Sequence, residues 1–216
     1  MNNITKTKKF IKEELDWVCS AHDLYHIERV YKISEKIFLE EKNADKEVTL
    51  ISALLHEMLD DKFFDWVLEK QKEKILDFLN SLELNEKQKE KIIYIIENIW
   101  YWKSLSWKKI DKFIEFQIVE DADRLESIWA IAIARTFAYW WKKHRPIYDP
   151  EIKVELNMTP EEYRNHKWTS LNHFYEKLLL LKDKMNTKFW KKLAEDRHNF
   201  MENFLKQFLA EWNWDK

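Results

Sequence analysis

The chain has 216 residues, of which 45% are hydrophobic and 15% aromatic, so it is long enough to bury a sizeable core. Its 37 basic and 39 acidic residues leave a formal charge of −2, which provides no general electrostatic attraction to nucleic acid or to membrane surfaces. A single cysteine, Cys19, excludes a disulfide framework and favours the cytoplasm. No apolar run approaches the roughly 20 residues of a membrane span, and the first residues lack the apolar stretch of a signal peptide.

Glycine is absent and tryptophan is abundant, with 12 residues, whereas an average usage of about 7% predicts roughly 15 glycines. Trp140, Trp141, Trp190 and Trp214 lie in segments typical of turns or tails, where the chain often needs the positive φ angles that glycine accepts. We therefore hypothesise that many tryptophans stand in place of glycines, either by engineering or because a UGA codon read as glycine in the source organism is written here as tryptophan. The alternative is a natural chain rich in tryptophan and devoid of glycine.

Apolar residues recur at helical spacing along nearly the whole chain, and no segment alternates convincingly with the period of two that is typical of strands. The pattern therefore predicts an all-α protein, and no linker rich in proline or serine divides it. The predicted helices cover residues 6–18, 22–41, 46–59, 65–82, 85–99, 113–137, 159 onward, 171–185 and 191–211, with connections at 104–112 and 140–157.

Three of these helix starts carry capping signals. Asp45 precedes one helix as a predicted N-cap, and Asn85 is followed three residues later by Gln88 in the capping-box form. Thr159 combines an N-cap with a proline at the first helical position and Glu162 three residues on.

One apolar helix, over residues 51–55, runs directly into His56, Glu57, Asp60 and Asp61. Burying such groups without partners would cost several kcal/mol, and a metal ion would resolve that cost because imidazole and carboxylate are both metal ligands. Helical spacing places His56 and Asp60 on one face and Glu57 and Asp61 on another. The alternative is a solvated acidic helix end with His56 closing a core.

Two further segments supply the ligand types that such a site would need. His22 and His26 lie four residues apart on one helix face, and Arg29 follows one turn later. Asp121 and Asp123 are embedded between apolar residues of a later helix. The alternatives are histidines at the surface or hydrogen-bonded in a core, and aspartates paired with nearby arginines.

Taken in this order, the three segments resemble the HD-domain superfamily of metal-dependent phosphohydrolases, whose pattern is a histidine, then a His-Asp doublet, then an aspartate on a later helix. Residues 22–30, 121–125, 133–137 and 173–178 are similar to a bacterial subgroup of small, stand-alone HD hydrolases. The resemblance implies a compact multi-helix HD-domain bundle with additional C-terminal helices. The resemblance covers most of the chain, about residues 15–210. We expect a single domain over residues 1–216, with the metal-site core at 20–140 and a C-terminal helical part at 158–212.

The resemblance implies that His26, His56, Glu57 and Asp123 hold one divalent metal. Mn²⁺ is the expected ion, with Mg, Fe, Co, Ni and Zn as alternatives. Glu57 stands where the family has aspartate, and its extra methylene displaces the carboxylate by about 1 Å, a misplacement that can lower a rate ~10²-fold. The family also favours glycine where this chain has Ala21, Trp129, Ala132, Trp140 and Trp141.

In the implied mechanism, Asp60 or Asp61 orients or deprotonates the attacking water, and Arg29, Lys62 and Arg135 meet phosphate charge. Hydrolysis of nucleoside triphosphates to pyrophosphate is the expected reaction, with alarmone hydrolysis and phosphomonoesterase activity as alternatives. A different class of function is a helical binding protein that keeps the fold without turnover. The expected partner is a small phosphorylated molecule, not nucleic acid or membrane, and a homodimer is a further expectation.

Overall fold

The computed structural model describes residues 1–15, 24–41, 43–60, 68–106 and 109–215. All regular structure within these ranges is helical, which confirms the all-α prediction. Short 3₁₀ turns cover Tyr101–Leu105, Leu178–Leu180 and Lys182–Lys184. The α-helices are α1 Asn3–Leu15, α2 Leu24–Glu40, α3 Lys46–Leu55, α4 Leu68–Asn80, α5 Glu86–Asn98, α6 Ile114–Glu126, α7 Ala130–Lys142, α8 Pro160–Asn165, α9 Ser170–Glu176 and α10 Lys188–Trp212.

The chain divides into two compact units, Met1–Ala122 and Asp123–Lys216. The boundary falls inside α6, so Asp123 is carried by the last turn of a helix that begins in the first unit. The single domain over residues 1–216 stays a prediction. Among the described residues, no helix combines the length and the apolar character that crossing a membrane requires.

Helix α3 is the centre of the first unit, where it packs against α1, α2 and α5. Every residue from Val48 to Leu55 is buried, and a helix that is buried on all sides needs neighbours on several of its faces. The neighbours supply the aliphatic residues that the helical spacing predicted. From α2 come Ile27, Val30 and Ile37, and from α5 come Ile92, Ile95 and Ile96.

The predicted caps fix where the helices of the first unit begin. The Asp45 carboxylate accepts hydrogen bonds from the backbone N–H groups of Glu47 and Val48, at 2.9 and 3.1 Å. Its second oxygen accepts from Gln88 Nε2 at 2.9 Å, and Gln88 itself completes the capping box with Asn85. One aspartate therefore ties the start of α3 to the start of α5. The capping box at Thr159 is also present.

Helix α3 ends at Leu55, four residues earlier than predicted. The backbone N–H of Met58 donates to Leu55 at 2.9 Å, and that of Asp60 donates to Glu57 at 3.2 Å. These bonds span three residues instead of four and so tighten the chain into turns. Because the segment has left the helix, the prediction that His56 and Asp60 share a helix face is wrong.

The predicted helix over residues 113–137 is two helices, α6 and α7, separated at 127–129. The break occurs at Trp129, whose backbone adopts φ 108° and ψ −166°, a combination that cannot continue a helix. The predicted helix over 171–185 likewise consists of α9 and two 3₁₀ turns.

The prediction that tryptophans lie in turns is correct for one of the four named residues. Trp140 and Trp141 belong to α7 and Trp190 to the first turn of α10, so the turn assignment is wrong for these three. Trp140 stacks on Trp168 at a centroid distance of 5.8 Å. Trp214 alone follows the end of its helix, at φ 58°.

In the second unit, α7, α9 and α10 pack together around aromatic rings. The Phe137 ring lies 6.0 Å from the rings of both Phe174 and Phe204. Helix α9 also binds the segment that precedes α8. The backbone N–H of Glu155 in that segment donates to Glu176 Oε1 of α9 at 2.8 Å. Burial raises the pKa of the Glu176 carboxyl, against the lowering effects of that hydrogen bond and of His166.

We predict that Asp45→Ala lowers the free energy of unfolding by about 1–2 kcal/mol, because two backbone N–H groups lose their cap and Gln88 loses its acceptor. Chemical denaturation measures the change. Asp77→Ala is the matched control, since Asp77 lies exposed on α4, and its effect is expected to stay within about 0.5 kcal/mol. Equal effects of the two substitutions would contradict the capping role.

Candidate metal centre

Helices α2 and α3 bring two predicted ligands together inside the first unit. The Nε2 atoms of His26 and His56 lie 3.2 Å apart, and each residue is 1% exposed. His26 points inward because it lies on the same buried face of α2 as Ile27 and Val30. His56 arrives from the C-terminal end of α3.

A backbone carbonyl determines which nitrogen of His56 carries a proton. His56 Nδ1 lies 2.7 Å from the carbonyl oxygen of Ala53, and because a carbonyl oxygen only accepts, Nδ1 is the donor. In the neutral ring, Nε2 then presents its lone pair toward His26. Metal-binding histidines commonly have this arrangement, in which a hydrogen bond to one nitrogen orients the other toward the ion.

Glu57 extends the cluster with a carboxylate. Its Oε1 lies 3.0 Å from His26 Nε2 and 3.6 Å from His56 Nε2, and the residue is 5% exposed. The turn that ends α3 therefore directs both residues of the doublet to the same place. The longer side chain of glutamate still reaches the histidine pair.

Helix α6 supplies an aspartate in its last turn. Ligand atoms of His26, His56 and Asp123 all lie within 4.8 Å of one another, and Asp123 is half-buried. Asp121 is fully buried but does not belong to this group of three, nor does Glu57. Asp123 thus belongs to the group with the two histidines, and its role as a ligand stays a prediction.

These spacings fit a divalent ion. Two donor atoms that each lie about 2.1 Å from one ion are roughly 3.0 Å apart at an octahedral angle and roughly 3.4 Å apart at a tetrahedral one. The distances from His26 Nε2 to Glu57 Oε1 and to His56 Nε2 are 3.0 and 3.2 Å. Imidazole nitrogens combined with carboxylate oxygens suit Mn, Fe, Co, Ni and Zn.

The structure describes three of the remaining predicted residues, Asp60, Arg29 and Arg135. Asp60 is buried in the turn after Glu57, and Arg29 is half-buried on α2, three residues beyond His26. Arg135 forms an ion pair with the buried carboxylate of Glu126, so its charge has a partner within the second unit. The other named residues, His22, Asp61 and Lys62, lie outside the described part of the chain.

Two arginines hold the C-terminal end of α6, a role that the sequence did not reveal. Arg197 donates from Nη1 to the carbonyl of Leu125, and Arg124 donates from Nη1 to the carbonyl of Lys184. Burial lowers the pKa of Arg197, and the nearby Glu126 opposes this effect. No local pattern signals such a contact, because Arg197 and Leu125 are 72 residues apart.

Comparison with known proteins finds a family model that spans the candidate metal centre. The model of the HD domain matches residues 23–128, a range that contains the three clustered ligands and Glu57. YpgQ of Bacillus subtilis (strain 168) is 34% identical over 188 residues, which cover 87% of this chain and 83% of YpgQ.

Solved structures share the fold over nearly the whole chain. A Lactobacillus plantarum protein is 34% identical with a TM-score of 0.87, over 97% of this chain and 96% of its own. An HD-superfamily hydrolase from Bacillus thuringiensis is 40% identical with a TM-score of 0.71 and the same coverage, 97% and 96%. The structure of YpgQ in complex with ADP has a TM-score of 0.69 at 27% identity, over 97% of each chain.

The protein is expected to bind about one divalent transition metal ion per chain, since the cluster offers a single set of nitrogen and oxygen donors. Equilibrium dialysis against Mn²⁺ followed by elemental analysis gives the stoichiometry. His56→Ala and Asp123→Ala should each abolish binding. His144→Asn is the control, because His144 is an exposed histidine at φ 55° and asparagine tolerates that conformation. Full stoichiometry in both ligand variants would refute the site.

Proposed function

Because this chain belongs to the HD domain family, we propose that it is a metal-dependent phosphohydrolase that acts on a nucleotide. Its relative from Bacillus thuringiensis is an HD-superfamily hydrolase, which supports hydrolysis as the class of reaction. The observation that carries the proposal is the cluster of His26, His56 and Asp123, whose ligand atoms lie within 4.8 Å of one another.

His26, His56 and Asp123 would hold the ion, with Glu57 beside the two imidazoles. A divalent ion there would supply Lewis acidity to a phosphoryl group and lower the pKa of water. The hydrogen bond from His56 Nδ1 to Ala53 keeps that ring in the tautomer and orientation that ligation needs. The burial of both histidines keeps bulk water away from the donors, where electrostatic interactions are stronger.

Asp60 is the candidate for the general base that lies within the described part of the chain. It is an acid within four residues of His56, and it is buried beside the ligand-bearing turn. We propose that the Asp60 carboxylate orients the attacking water and accepts its proton. Asp61 is the alternative residue for this role. Arg29 follows His26 by one turn of α2 and is the proposed contact for phosphate charge, which arginine recognises through its fork of N–H donors.

A nucleotide is the proposed substrate because YpgQ, which is 34% identical to this chain, has a structure in complex with ADP. We favour cleavage of a nucleoside triphosphate between its α and β phosphates, which releases a monophosphate and pyrophosphate. Alarmone hydrolysis and phosphomonoesterase activity remain the alternatives. The cytoplasmic location and the homodimer also remain predictions.

Product analysis with a panel of nucleoside triphosphates, an alarmone and nucleoside monophosphates in the presence of Mn²⁺ tests the proposal. We expect pyrophosphate and a nucleoside monophosphate from a triphosphate. Pyrophosphate from the alarmone alone would favour the second reaction, and inorganic phosphate from monophosphates the third. His56→Ala is the matched control for contaminating activity. Nucleotide binding without any product would support the non-enzymatic reading, in which the fold is kept without turnover.

Glu57→Asp is expected to raise kcat/KM by roughly 10-fold or more without raising stability. The shorter side chain restores the doublet of the family, and a misplacement of about 1 Å can account for ~10²-fold in rate. Activity is compared at equal metal occupancy, with the exposed Glu86 of α5 changed to aspartate as control. Equal or lower activity of Glu57→Asp would show that glutamate is the adapted ligand in this chain.

We expect Arg29→Met to lower kcat/KM and Arg135→Met to lower the free energy of unfolding. Loss of Arg29 should lower kcat/KM by about 10- to 100-fold, the effect of removing a charge-assisted hydrogen bond of about 1.5–3 kcal/mol, with stability preserved. Loss of Arg135 removes one cation from the buried Glu126 carboxylate, while Arg197 stays near it, which should lower the free energy of unfolding by about 1–3 kcal/mol. Steady-state kinetics and denaturation of the same preparations separate the two effects. The reverse outcome would reassign Arg135 to the substrate.

A further inference from the structure

Tryptophan occupies an unexpected share of the backbone positions that favour glycine. In the described part of the chain, the residues with positive φ are Trp129, His144, Asn157 and Trp214. Tryptophan is 12 of 216 residues, yet it takes two of these four places. Asparagine and histidine are residues that enter the left-handed region with some frequency, whereas a bulky aromatic residue there is an outlier.

Trp129 has the more demanding conformation. Its φ of 108° and ψ of −166° lie in a region that is populated essentially by glycine alone, because a Cβ atom collides with the backbone. The conformation follows from the connection, since only residues 127–129 separate α6 from α7. The Trp129 carbonyl already accepts from Ile133 N–H at 3.0 Å, so this residue must both end the turn and begin α7.

The indole of Trp129 makes few contacts that would offset this strain. The residue is 42% exposed. Its ring lies 6.3 Å from the ring of Phe200, itself an exposed residue, and 4.9 Å from the guanidinium carbon of Arg197. Arg197 has other interactions, with the Leu125 carbonyl and near Glu126, so it does not depend on the indole.

Trp214 occupies a second position of this kind, just beyond α10. Its N–H donates to the Glu211 carbonyl at 3.2 Å, and the Asp215 N–H donates to the Ala210 carbonyl at 2.9 Å. This pair of bonds defines the Schellman motif, in which the residue after the helix cap is left-handed and usually glycine. Trp214 has φ 58° and is 90% exposed, so its indole packs against little.

Trp168 shows what a packed tryptophan looks like in the same unit. It is 4% exposed, and its ring lies 4.7 Å from that of Tyr163, 5.1 Å from His166 and 5.0 Å from His173. The tryptophans therefore differ in kind. Trp168 fills a core, whereas Trp129 and Trp214 combine exposed indoles with backbone angles that disfavour any side chain.

We propose that residues 129 and 214 are glycine in the natural protein. Tryptophan at these two positions would then result from engineering or from translating as tryptophan a UGA codon that the source organism reads as glycine. The proposal concerns these two positions and does not extend to Trp140, Trp141 or Trp190, which lie in helices. It rests on backbone geometry and exposure, so it stands or falls independently of the hydrolase activity.

Peptide mass spectrometry of the protein isolated from its source is the direct test. Cleavage after Arg124 and Arg135 releases the peptide of residues 125–135, whose mass and fragment series identify residue 129. We expect the peptide with glycine at that position. A fragment series with tryptophan at 129 in the natural protein would overturn the proposal.

The recombinant chain provides a second test, in which glycine is compared with alanine. Trp129→Ala removes the indole and keeps a Cβ, whereas Trp129→Gly removes both, so the difference between the two isolates the backbone strain. We expect the melting temperature of Trp129→Gly to exceed that of Trp129→Ala by roughly 2–8 °C. The same order is expected for Trp214→Gly and Trp214→Ala.

Trp168→Ala is the matched control and should lower the melting temperature, since it empties a core position. An alanine variant at residue 129 as stable as the glycine variant would overturn the proposal, because the backbone would then accept a side chain. A rise in melting temperature for Trp168→Ala would overturn it too, since tryptophan would then be unfavourable regardless of backbone geometry.

Discussion

Two imidazole nitrogens that face each other at 3.2 Å inside a buried pocket are the constraint on which the arrangement of the first unit depends. Nitrogens so close, with a glutamate oxygen 3.0 Å from one of them, need a shared proton or a shared cation, because polar groups are costly to bury without partners. Close packing of α2 on α3 is what creates this need. The aliphatic core that brings the helices together therefore also creates the need for a shared proton or cation.

The end of α3 places the His56–Glu57 doublet beside His26. His56 uses Nδ1 for the Ala53 carbonyl, which aims Nε2 at His26, and the chain then leaves the helix in short turns. Both residues of the doublet approach the same histidine, at 3.2 and 3.0 Å.

Local signals in the sequence predicted those parts of the structure that are determined locally. The caps at Asp45, Asn85 and Thr159 are present, since a cap needs only neighbouring N–H groups. The histidine and aspartate pattern selected His26, His56 and Asp123, which do lie together. Two pairings escaped prediction. Arg197 binds the Leu125 carbonyl 72 residues away, and Arg135 pairs with Glu126 across the break between α6 and α7 that the sequence pattern did not reveal.

The missed break between α6 and α7 has a specific physical cause. A helix break is normally recognised from glycine or proline, and residues 113–137 contain neither. The residue at the break is Trp129, which reads as one more apolar member of a helical pattern. Its backbone nevertheless takes angles suited to glycine, so the connection between the two helices outweighs the preference of the side chain.

Glu57 and Trp129 are departures of different kinds from the family pattern. Glu57 keeps the chemistry of a carboxylate ligand and alters its reach by one methylene, and the turn still brings it to 3.0 Å from His26. Trp129 instead places a side chain on backbone angles that are populated essentially by glycine alone. The two residues therefore bear on different properties, Glu57 on the reach of a carboxylate and Trp129 on the conformation of the connection between α6 and α7.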